Sequence, residues 1–209
     1  DPIKILLVFS FFISVVSQVQ SQDSLRWNLT NDGGIEWGVK EKDSHMDHIE
    51  MSGMYLSVIV HYGVNNGMLK QKVHLVFPNL RTIPNDTHGS LAHKIDYDSL
   101  GQIKVNGKAI SEEPDKFYIK GILGYQSNTA EGVEIKHQLF PSSDKTVFID
   151  IIEIRNSTNQ PVGIELPKIE LSHKTDADKG VRGIYSINVV SNKYGIYNLK
   201  PNESLDYAL

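Results

Sequence analysis

Met54-Tyr55-Leu56-Ser57-Val58-Ile59-Val60-His61-Tyr62 sorts its side chains onto two faces, with Leu56, Val58, Val60 and Tyr62 on one and Tyr55, Ser57, Ile59 and His61 on the other. Apolar residues recurring at every second position mark a β-strand with one buried face. The next segment, 69–77, repeats the pattern: Val73, Leu75 and Phe77 share a face, and Gln71 continues it. Further period-two segments follow at 116–123, 133–140, 146–155, 162–171 and 182–190. Turn chemistry separates them at Asn65-Asn66-Gly67, Asn106-Gly107, Ser142-Ser143-Asp144 and Asn156-Ser157-Thr158-Asn159-Gln160-Pro161. Asn106-Gly107, flanked by Ile103, Val105 and Ile110, predicts a type I′ hairpin, whose two central residues both need positive φ. No stretch carries a sustained helical period with a cap. Many short strands at fairly even spacing predict an all-β fold, a sandwich or a barrel, of which an antiparallel β-sandwich is the reading taken.

Within that fold, Val147-Phe148-Ile149-Asp150-Ile151-Ile152-Glu153-Ile154 is apolar on both faces, which predicts a central strand held between two layers. Asp150 is then either a satisfied buried carboxylate or a group facing water at a sheet edge. At the other end of the chain, Leu199-Lys200-Pro201-Asn202-Glu203-Ser204 reads as a turn, and 205–209 opens another alternating strand. The reading is a domain over 22–209 that continues past Leu209.

The first 21 residues differ from the rest. Lys4 precedes an apolar run from Ile5 to Val16, and Val19-Gln20-Ser21 places small side chains before a cleavage point. That order predicts a removable secretory signal over 1–21, hence export to a periplasm or the exterior and no membrane attachment after removal. The run is short for a membrane span. The 209 residues include no Cys, so size rather than disulfides must stabilise the exported domain. A formal net charge of −4, without a basic stripe, argues against nucleic acid as a partner.

The densest group of metal-ligand types is His45-Met46-Asp47-His48-Ile49-Glu50. A strand brings only alternate residues together, so no metal site and no cofactor is expected there. Asp176-Ala177-Asp178-Lys179-Gly180 begins like a calcium loop but lacks the closing carboxylate, and a turn accounts for it. Asp47, Glu50, Asp150 and Glu153 are available carboxylates, yet their spacing nominates no pair for glycoside hydrolysis. There is no G-x-S-x-G elbow and no glycine-rich phosphate loop. Asn28, Asn85, Asn156 and Asn202 lie in N-x-S/T sequons. The stretch 77–91 contains two prolines and predicts an ordered, non-regular loop that presents Arg81, Asn85, Thr87 and His88. Trp27, Trp37, Tyr55, Tyr62 and Tyr125 could stack on sugars or pack in a core.

Four stretches carry a family resemblance: 47–53 (Asp47-His48-Ile49-Glu50-Met51-Ser52-Gly53), 80–88 with Leu80-Arg81-Thr82-Ile83-Pro84-Asn85 and Thr87-His88, 147–156, and the turn 199–204. Together they resemble the N-terminal β-sandwich of exported bacterial six-hairpin glycosidases, the α-L-rhamnosidase-like proteins of the Bacteroidetes type, over residues 27–209. The resemblance implies a downstream (α/α)6 barrel that holds the acidic catalytic residues, against which the sandwich packs. It therefore assigns no catalytic residue to this chain. Asp47, His48, Glu50, Arg81, Asn85, Thr87 and His88 become candidates for an oligosaccharide-facing or domain-facing surface. The implied function is a non-catalytic accessory domain of a glycoside hydrolase in carbohydrate degradation. The alternative is a stand-alone carbohydrate-binding or structural exported module.

Overall fold

The computed structural model describes residues 25–83 and 89–209. The expected signal segment, and Asn85, Thr87 and His88, lie outside the described residues. The strands are β1 (Asn28–Leu29), β2 (Ile35–Gly38), β3 (His45–Ser52), β4 (Ser57–Asn65), β5 (Met68–Arg81) and β6 (Ser90–Asp96). A 3-10 turn, Tyr97–Ser99, leads into β7 (Lys104–Val105), β8 (Lys108–Ala109), β9 (Glu113–Ile119), β10 (Leu123–Asn128), β11 (Val133–Pro141) and β12 (Phe148–Asn156). The chain continues through β13 (Val162–Leu166), β14 (Glu170–Lys174), β15 (Ser186–Val190), β16 (Gly195–Leu199) and β17 (Ser204–Ala208). Among the described residues no helix is long and apolar enough to cross a membrane.

A long antiparallel sheet, in the order β1-β2-β9-β10-β11-β12-β17, forms one layer. Two smaller sheets lie against its inner face: the meander β3-β4-β5-β6, and the sheet β16-β13-β7-β8. The ribbon β14-β15 completes the molecule. Packing against the meander, Trp37, Phe117, Leu123, Tyr125 and Leu139 of the long sheet meet Val58, Val60, Val73 and Leu75. Packing against the second sheet, Ile135, Ile152, Ile154 and Tyr207 meet Val105, Val162 and Ile164. The all-β sandwich is what the period-two pattern requires, and its phase is right: Leu56, Val58, Val60 and Tyr62 are buried, and so are Gln71, Val73, Leu75 and Phe77. The Asn106-Gly107 hairpin has both central residues at positive φ.

Four boundaries depart from the sequence reading. Segment 116–123 is two strands, because Gly121 takes a positive φ and turns the chain back between β9 and β10. Segment 162–171 is divided at Pro167, which cannot donate to a ladder and ends β13. Segment 182–190 becomes strand only from Ser186. The stretch 77–91 is not loop throughout, since β5 runs to Arg81 and β6 starts at Ser90, with the register break between Phe77 and Arg81 accommodating Pro78.

The expected two-layer burial of 147–154 is also corrected. β12 is interior in the hydrogen-bonding direction, paired with β11 and β17. Only Asp150, Ile152, Ile154 and Asn156 on its inner face are buried, while Ile149, Ile151 and Glu153 are half-exposed. Nothing among the described residues forms a second layer over them. Where β12 ends, Asn156 is fully buried and fixes the crossing into β13. Its amide donates to the carbonyls of Gln160 (2.8 Å) and Leu199 (3.0 Å), and its carbonyl oxygen accepts from Thr158 N (2.9 Å). At Gly63, where φ is +150°, a Cβ would overlap the His45 carbonyl oxygen of the neighbouring strand, so only glycine fits.

Cutting Ile154 back to Ala opens a cavity in the second half-core and is expected to cost about 2–5 kcal/mol. The exposed Ile196→Ala should stay within about 0.5 kcal/mol of the parent. Urea unfolding of the two variants checks both values.

Candidate functional site

The inner face of β11 reads Val133, Ile135, His137, Leu139, and that of β12 reads Asp150, Ile152, Ile154. Val133 and Ile135 belong to one half-core and Leu139 to the other, so His137 stands at their junction. His137 pairs in register with Ile152, and Leu139 with Asp150, which sets the imidazole and the carboxylate diagonally across two adjacent strands. His137 Nδ1 lies 3.1 Å from each Asp150 oxygen. Asp150 is wholly buried and His137 is 3% exposed. Of the two readings open for Asp150, the satisfied buried carboxylate is the one realised.

On the other side of the ring, Glu112 Oε2 lies 3.2 Å from His137 Nε2. That is ion-pair distance, but out of line for a hydrogen bond, so Nε2 has no hydrogen-bond partner. Ser127 Oγ donates to the same Glu112 oxygen at 3.3 Å. Tyr125 stacks on the imidazole with ring centroids 4.3 Å apart and planes at 15°, a favourable face for a cation. Burial alone would push the His137 pKa down. The charges of Asp150 and then Glu112 outweigh it and raise the pKa to about 10. The ring is therefore an imidazolium at neutral pH.

His137, Glu112 and Tyr125 line a cleft of about 360 Å³ together with Gln71 and Tyr97, while Asp150 lies behind the imidazole, outside the lining. Both amide atoms of Gln71, the Tyr125 hydroxyl and His137 Nε2 are buried without a hydrogen-bond partner. Tyr97 is half-buried as a residue, but its hydroxyl end is deep, facing Asp150 and Gln71. Burial, then the Asp150 charge, holds that phenol protonated well above its ordinary range. Tyr125 is held protonated in the same way, by burial and then by Glu112 and Asp150. The cleft thus offers N–H and O–H donors beside the Glu112 carboxylate. With its pKa raised to about 10, the imidazole holds its proton at neutral pH and is a donor rather than a general base there.

The residues singled out from sequence lie elsewhere. Asp47 faces inward on β3, accepts from Trp27 Nε1 at 3.3 Å, and adds to the effect of burial in raising the Tyr62 pKa. His48 and Glu50 point outward from the same strand, His48 with its ring 5.8 Å from that of His61. The row through Asp47 crosses β4 at Tyr62 and reaches β5 at Gln71. Arg81 stands ten residues farther along β5, roughly 30 Å away. Its Nη1 donates to Ser90 Oγ, and its carbonyl accepts from Tyr185 Oη at 2.8 Å. Of the aromatic candidates, Trp37, Tyr62 and Tyr125 are buried and Tyr55 is exposed. Among the described residues no group of three or more His, Asp or Glu is placed to hold a metal. Asp176–Gly180 is a turn between β14 and β15.

The sequence reading missed His137, Glu112 and Tyr97. A signal existed for His137: a charged residue in phase with Val133, Ile135 and Leu139, on the strand paired with the one that carries Asp150. Comparison with known proteins returns no match, whether to family models, to curated proteins or to solved structures.

An unfolded histidine titrates near 6.5 and His137 near 10, so the folded state holds this proton more tightly. The resulting stabilisation is complete below pH 6.5 and is lost as pH rises through about 10. The difference in urea-unfolding free energy between the parent and His137→Gln should narrow steadily over that window. A difference that stays constant from pH 6 to pH 11 would contradict the assignment.

Proposed function

We propose that this chain is a non-catalytic β-sandwich module of an exported carbohydrate-degrading protein, and that its central cleft holds one neutral sugar unit. The observation that carries this reading is the set of buried, unpartnered polar groups on Gln71, Tyr125 and His137, all lining one cleft. Buried polar atoms are nearly always satisfied, so a cluster of unsatisfied ones calls for a polar guest. Vicinal hydroxyls both donate and accept. They match an amide, a phenol and an imidazolium set beside the Glu112 carboxylate. An acidic sugar would meet Glu112 in the lining with like charge, which favours neutral saccharides over uronates. The resemblance to six-hairpin glycosidases supports the carbohydrate setting. The charge–apolar–small order of residues 1–21 supports export to a periplasm or the exterior.

Such a module would also pack against its own downstream catalytic domain. Edge strand β16 favours this reading, since Ile196 is 76% and Tyr194 beside it 60% exposed. In a longer protein that includes the barrel, the amides of β16 should gain protection from hydrogen exchange relative to the 209-residue chain. Unchanged exchange would remove this packing mode.

The cleft reading is tested by titrating neutral saccharides into the chain and into two variants. Gln71→Leu and Tyr125→Phe should each weaken binding about tenfold, the worth of one hydrogen bond. Tyr125→Phe should not lower the melting temperature, because the hydroxyl removed has no hydrogen-bond partner in the unliganded fold. A loss of stability with unchanged affinity would assign both side chains to the core instead. Absence of binding by the parent to any neutral saccharide would refute the reading.

A further inference from the structure

A second cavity, of about 410 Å³, adjoins the polar cleft and differs from it in chemistry. Its floor is Leu56, Leu75 and Phe77 from the meander side together with Ile187 of β15, all buried. At its rim stand Val147 and Val190, apolar side chains that are nonetheless 45% and 55% exposed. Protein interiors are close-packed, and a void of this size is uncommon. Cavities lined by Leu, Ile and Phe stay dry and accept apolar guests; about 150 Å³ is enough for a benzene ring.

The two cavities share three wall residues, Tyr97, Leu100 and Leu209. Tyr97 serves both. Its ring packs with the apolar cluster of the meander, while its hydroxyl turns to Asp150 and Gln71 in the polar cleft. A molecule whose polar part sits beside that hydroxyl need extend only past one side chain to reach the apolar pocket. No charged residue lines the second pocket, whose wall is mainly apolar with Thr146, Ser186 and Asn188 among it, so an ionic group would not be matched there.

We infer that the two cavities form one composite site for a sugar bearing an apolar substituent, with the sugar in the polar cleft and an alkyl or aryl group in the pocket behind Tyr97. The inference rests on the saccharide reading of the cleft and adds the class of its aglycone. The exposed Val147 and Val190 mark the way in for the apolar group, and the exposed Lys70–Asp98 pair, 3.0 Å apart, flanks the polar mouth where the sugar enters.

The test titrates matched methyl and n-octyl β-glycosides of glucose, galactose, mannose and rhamnose into the full chain, below the micelle concentration, with n-octanol as a control. The octyl member of whichever pair binds should be tighter on the order of 100-fold, the worth of three or four buried methylene groups. Val147→Asp combined with Val190→Asp, both at exposed positions that folding tolerates, should remove most of that gain and leave methyl glycoside binding unchanged. Equal affinity for methyl and octyl glycosides would overturn the composite site while leaving the saccharide reading in place. Survival of the octyl gain in the rim variant would overturn it equally, since the tail then lies elsewhere. Octanol binding as tightly as the octyl glycosides, with the methyl glycosides silent, would overturn the saccharide reading and this inference with it.

Discussion

The contact on which the molecule turns is the buried ion pair between His137 and Asp150. The long sheet supports two half-cores, one shared with the meander and one with the sheet containing β13, and the pair lies where they meet. Burying a charge is costly unless an opposite charge and hydrogen bonds compensate it, and removing one member of such a pair usually costs more than the pair contributes. Here Asp150 holds Nδ1, Tyr125 covers the ring face, and Glu112 approaches Nε2 without closing a hydrogen bond. One side of the imidazolium is hydrogen-bonded by Asp150, and the other is paired in charge with Glu112 at 3.2 Å.

That asymmetry separates a structural polar network from a recognition site. A network kept only for register would satisfy its members completely, as Asn156 does at the end of β12, where both its amide and its carbonyl oxygen are paired. The cleft around His137 does the opposite. It keeps an amide and a phenol without hydrogen-bond partners in one small space, next to an imidazolium N–H that meets Glu112 out of line and beside an apolar cavity that shares the Tyr97 wall. The proposed polar ligand with a hydrophobic appendage would satisfy both halves together.

The sequence made the framework legible because a strand with one buried face writes its period directly. Leu56 to Tyr62 and Gln71 to Phe77 have the phase that alternation demands, and Gln71 could be placed on the core face before its neighbours were known. The errors came from breaks a period does not show: Gly121 turns back a run that alternates across it, and Pro167 ends a ladder inside another. The apolar character of Ile149 and Ile151 reads as double burial, yet the outer face of β12 is half-exposed. The site was less legible, since it is assembled from residues far apart in the chain. Asp150 was visible as a carboxylate within an apolar strand, and His137 carried a signal of the same kind. Glu112 precedes β9 in an irregular segment, and Tyr97 sits in a 3-10 turn, so neither has a periodic context that could announce it. The Asp47–Glu50 cluster attracted notice through its density of ligand types, which the strand distributes over opposite faces.

The nitrogen NMR spectrum of His137 in the intact chain at pH 8, recorded with and without a neutral saccharide, tests the buried imidazolium and its open side most directly. A doubly protonated ring is expected at this pH, well above the ordinary histidine range, with the Nε2 resonance shifting on saccharide addition while Nδ1, held by Asp150, moves little. A neutral tautomer at pH 8, or an Nε2 resonance indifferent to every neutral saccharide, would contradict it.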